Sequence, residues 1–126
     1  MPLFKLRQLQ EESDSWKRYL AFITEENICL KNRLSLAVKS SRGEATLNEM
    51  ENFFNRSIQQ DDFLALLRKD VSEFDKLLIR EQYEDGLVAK KMDNQLNKNR
   101  INMRQFYLEF ENLKSDFNDY LLEHIE

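Results

Sequence analysis

The side chains able to do chemistry in this sequence are few, and their spacing does not suit it. There is one histidine, His124, and one cysteine, Cys29. A cysteine nucleophile needs a base within hydrogen-bond reach, and the one histidine lies near the far end of the sequence, so Cys29 is expected to pack on a helix flank. A zinc site needs several Cys or His ligands, more than the chain holds. A di-iron bundle needs Glu-x-x-His from two helices, and the residue three before His124 is Leu121. The two glycines, Gly43 and Gly86, stand alone and form no phosphate-cradling loop. No catalytic, cofactor-binding or metal-ligating residue is therefore assigned, and the chain is expected not to be an enzyme.

Charge narrows the partners. A net charge of −4 over 126 residues argues against nucleic acid, because phosphate binding needs a surplus of Lys and Arg to release counterions. Locally, Lys90, Lys91, Lys98, Arg100 and Arg104 make one stretch basic, with only Asp93 against them. The acids Glu81, Glu84 and Asp85, just across a turn, are the expected partners of that stretch within the fold. The longest apolar run, Tyr19 to Ile23, is far too short to span a bilayer, and the start of the chain develops no apolar signal region. A soluble cytoplasmic protein with no membrane partner is expected, and a lone cysteine agrees with a reducing compartment.

What could position any site is a set of long helices. Glycine adopts the left-handed conformation that ends a helix without a Cβ clash, and here the glycines divide the chain into thirds. The only proline, Pro2, stands where a helix start tolerates it. Apolar residues at 41% exclude disorder, and 33% charge suits slender rods exposing much of their circumference. The expectation is one all-α domain, 1–126, with helices over about 3–41, 46–85 and 87–125. Short turns make neighbours antiparallel, giving an up-down-up, coiled-coil-like bundle in which the first and third helices run parallel.

In the first helix Leu6, Leu9, Ser13, Trp16, Leu20, Ile23, Asn27, Leu30, Leu34 and Ala37 follow strict 3,4 spacing. That period of 3.5 implies long, nearly parallel axes, here roughly 55 Å in length. In the third, the seam is Met92, Leu96, Asn99, Met103, Phe106, Phe110, Leu113, Phe117, Tyr120 and His124, with Asn94, Asn97, Asn99 and Asn102 weakening its start. The second helix is less regular. Thr46 and Glu49 form a capping-box pattern at its start. Leu64, Leu67, Val71, Phe74 and Leu78 make a clear stripe, whereas Leu47, Met50, Phe54 and Ile58 lie on a rotated register. A stutter or mild kink is expected between them, at Gln59 to Asp62. A continuous rod through Gly86 is the alternative to a turn there, since glycine within a helix costs only about 1 kcal/mol. The seam residues Asn27 and Asn99 are expected to fix register, and Trp16 to anchor the core.

Two rows of apolar residues lie off these seams. Tyr19, Phe22, Cys29 and Leu36 occupy the g and c positions of the first helix, and Ile101, Leu108 and Leu122 the f positions of the third. A single exposed apolar residue needs no explanation, but rows repeating every seven residues form patches that mark association. These seven residues are the candidate interaction surface.

Three long helices with a tryptophan midway along the first resemble, in outline, spectrin-type repeats and small three-helix chaperones. The likeness is one of layout and carries no residue onto a role. The expected function is a non-catalytic interaction or scaffolding bundle that self-associates, most simply as a dimer, and offers a surface to a protein partner. An alternative is a chaperone or export adaptor holding an amphipathic client segment in a groove between helices, through Phe54, Phe63 and Leu66 or through the outer rows. Weak nucleic-acid binding through the basic stretch ranks below both.

Overall fold

The computed structural model describes residues 2–40, 44–84 and 86–124. It is all-α: α1 spans Leu3–Ser40, α2 spans Glu44–Glu84 and α3 spans Ala89–His124. Gly43, Arg42 and Asp85, and the residues expected at the far ends of the helices, lie outside the described residues, as does the side chain of His124.

All ten predicted seam residues of α1 are buried. On α3 the nine from Met92 to Tyr120 are buried as well, and the helix runs unbroken through its asparagines. Burial of these large side chains outweighs a propensity loss of a few tenths of a kcal/mol at each asparagine.

At Gly86 the continuous rod is overturned. The residue has φ +89°, and a short turn over 86–88 separates α2 from α3. Its N–H donates to the buried carboxylate of Glu81, at 2.7 Å to Oε1 and 3.0 Å to Oε2, so an acid of the last α2 turn caps the turn that follows.

The expected stutter in α2 is a second correction. The helix is continuous, and its buried face holds one register: Met50, Phe53, Ser57, Gln60, Leu64, Leu67, Val71, Phe74, Leu78 and Glu81. Ser57 and Gln60 are polar, which hides the seam from a search for apolar spacing. Leu47 and Ile58 are exposed, and Phe54 is half-buried on a flank. The capping box also fails, because α2 starts at Glu44 and so places Thr46 inside the helix. Thr46 and Glu49 both lie close to the phenol of Tyr120 on α3, whose pKa burial and Glu49 raise.

Direction follows from cross-helix pairs. Ser13 donates to Asp75 at 2.5 Å and Asn27 to Asp61 at 2.8 Å, so α1 and α2 are antiparallel. Phe63 meets Phe106 and Phe53 meets Phe117, at 5.3 and 5.4 Å between ring centroids, so α2 and α3 are antiparallel too. α1 and α3 are therefore parallel. The backbone of α2 runs beside both neighbours, while α1 and α3 are joined mainly through long side chains.

The core divides into two clusters. Trp16, Leu20, Ile23, Leu67, Phe74, Phe106 and Phe110 belong to the larger one, where Trp16 lies 5.6 Å from Phe74. Leu30, Leu34, Met50, Phe53, Leu113 and Phe117 belong to the other. Between them sits a polar layer in which Asn27 donates to the Ser57 carbonyl and to Asp61, while Lys31 binds the second oxygen of Asp61 at 2.6 Å.

Candidate interaction surface

The flanks of each seam decide what remains for the outside. Between α1 and α2 the e positions face each other: Lys17 pairs with Asp75, Thr24 accepts from Arg68, and Lys31 meets Asp61. Between α2 and α3, Arg56 pairs with Asp116, and Lys98 lies 3.5 Å from the buried Asp70. Between α1 and α3, the g positions Glu12, Tyr19 and Arg33 reach Arg100, Tyr107 and Asn118.

Of the seven candidate residues, Tyr19 belongs to the bundle. It is half-buried, its ring 6.3 Å from Phe106 and 6.2 Å from Tyr107. Its hydroxyl is buried without a hydrogen-bond partner. Burial, reinforced by the nearby Glu111 carboxylate and Tyr107, pushes its pKa up to about 12.

The other six are on the outside. Phe22 is 57% exposed and Leu36 64%, with the exposed thiol of Cys29 halfway between them in sequence. They share position c of α1, next to the g row that meets α3. Ile28, also exposed, lies about 100° round the helix from Cys29, with Glu25 and Asn32 of the f row between it and the strip. It was missed because it occupies position b and so falls outside a strict seven-residue row. On α3, Ile101, Leu108 and Leu122 are exposed on the side opposite the core. Position b of α3, with Arg104, Glu111 and Asn118, separates this row from the α1–α3 junction, so the two rows do not merge. Tyr107, half exposed beside Leu108, is the second residue missed; its contact with Tyr19 depends on how α1 and α3 meet.

Of the residues expected to line an adaptor groove, Phe63 packs on Phe106 and Phe54 against the second core cluster, while Leu66 is half exposed. An open groove of about 470 Å³ lies instead between α1 and α2, floored by Leu20 and Val71 and rimmed by Lys17, Glu25, Arg68 and Asp75. The small side chains of Ala21 and Ser72 leave that space.

Among the described residues the basic stretch finds acids inside the bundle. Arg100 binds Glu12 and Lys98 approaches Asp70, while Glu81 caps Gly86 and Glu84 pairs with Arg80. Parallel packing of α1 and α3 brings Glu12 to Arg100.

Among the described residues no group of three or more His, Cys, Asp or Glu is placed to hold a metal ion, and no helix is long and apolar enough to cross a membrane. Comparison of the chain with protein-family models, with curated proteins and with solved structures finds no match.

Proposed function

We propose that this chain is a non-catalytic protein-interaction module that self-associates through its outer apolar rows and works as a helical scaffold in the cytoplasm. The observation that carries this reading is the exposed strip on α1, Phe22, Cys29 and Leu36, outside the buried core. Leaving such a strip in water forgoes the roughly 25 cal/mol per Å² that covering it would return. An exposed free thiol fits a reducing compartment.

The test is the mass in solution, by sedimentation equilibrium across a concentration series. A dimer or larger assembly supports the reading. In that case Phe22→Glu with Leu36→Glu lowers the mass and leaves helicity unchanged. A chain that stays monomeric at every concentration overturns it.

A second reading is favoured by the groove between α1 and α2. Its apolar floor and mixed-charge rim suit an amphipathic helix of a client protein, so the chain would act as an adaptor. A monomer that gains thermal stability on adding such a peptide would support this reading.

A further inference from the structure

The strip on α1 has an internal symmetry that selects its occupant. Phe22 lies seven residues before Cys29 and Leu36 seven after, all at position c and all exposed. The charges nearest that point differ in sign: Glu25 and Glu26 come before Cys29, and Arg33 after it. We propose that α1 pairs antiparallel with α1 of a second copy of this chain, the two-fold axis passing at Cys29. The inference rests on the self-association reading above and adds which helix is used, in which direction and in what register.

A two-fold interface must be complementary to itself. In the antiparallel register Phe22 meets Leu36 of the second copy, Cys29 meets Cys29, and Arg33 comes close to level with Glu26 on the same flank of the row. The parallel register would set Glu25 against Glu26 of the second copy on both sides of the row, and would leave Arg33 beside Asn32 with no acid to meet. The one like-charged approach in the antiparallel pair is Arg18 with Lys39, at the solvent-exposed rim, where such a pair costs a few tenths of a kcal/mol. The row on α3 is a weaker choice, because Ser115 interrupts it between Leu108 and Leu122.

Directed cross-linking of the full chain tests this together with its sedimentation mass. Diamide joins two adjacent thiols into a disulfide, taking up the two protons and two electrons released. Cys29 is expected to cross-link the native chain about tenfold faster or more than in a Phe22→Glu, Leu36→Glu variant, because pairing raises the effective thiol concentration. In a Cys29→Ala background, Phe22→Cys alone and Leu36→Cys alone should not cross-link, whereas an equal mixture of the two should. Both positions are exposed, and circular dichroism checks that each variant keeps its helices.

Three results overturn the proposal. Self-cross-linking of the Phe22→Cys chain would make the pairing parallel. A dimer by sedimentation that forms no cross-link and is dissociated by Leu108→Glu would move the interface to α3. Both leave the self-association reading standing. A monomer at every concentration removes that reading and this inference together.

Discussion

Glu12 of α1 receives Arg100 of α3 through both ends of its carboxylate, Nε and Nη2 each donating at 2.7 Å. It is a two-pronged ion pair between the two helices that no short turn connects, and it holds them parallel where their backbones stand apart. The carboxylate's hydrogen bonds, set against a smaller desolvation, raise the Arg100 pKa above its already high value. Arg33 makes the equivalent reach further along, donating to Asn118 at 2.8 Å with its guanidinium over the Phe117 ring.

A double-mutant cycle with Glu12→Gln and Arg100→Gln is expected to give a coupling of about 0.5 to 1 kcal/mol. That is the upper part of the range for exposed pairs, because both prongs are engaged. Urea unfolding of the four chains measures it, and repetition at high salt should shrink the value.

Asp70→Asn should stabilise the bundle by about 1 kcal/mol. The Asp70 carboxylate is buried, one oxygen has no partner, and its nearest cation, Lys98, is 3.5 Å from the other oxygen and half exposed. The substitution removes the charge that burial penalises and leaves behind one that water still solvates. A lower urea midpoint for the variant would contradict this account.

Gly86→Ala is expected to cost about 1 to 2 kcal/mol. A Cβ there meets nothing within 4 Å, so the penalty would come from the positive φ alone. Gly86→Asn should cost less, since asparagine tolerates that conformation better. Thermal unfolding of the three chains gives the order.

Tyr19 makes stability depend on alkaline pH. Its folded pKa, raised to about 12, lies above the ordinary value of 10.0, so the folded chain keeps a proton that the unfolded chain gives up. Its contribution is thus fully present below pH 10.0 and declines as pH rises towards 12. Tyr19→Phe should lose less stability over that interval than the native chain, and phenolate absorbance should show one late-titrating tyrosine that the variant lacks.

The sequence by itself determined the all-α class and the seams of α1 and of α3 as far as Tyr120, whereas the turn at Gly86, which the sequence left open against a continuous rod, was decided by the structure. Their seam residues are mostly apolar at strict 3,4 spacing, and a helix converts that spacing into one buried face whatever lies opposite. Phe22, Cys29, Leu36, Ile101, Leu108 and Leu122 were legible as an outer surface for the same reason. Only the tertiary structure decided where polar residues go inside. Ser57, Gln60 and Asp70 are buried on α2 because neighbouring helices cover them, and the spacing of one helix carries no record of that. It likewise decided that Tyr19 packs against Tyr107 while Phe22, three residues on, stays in water. Both are aromatic residues on one flank, and what separates them is how closely α3 approaches each.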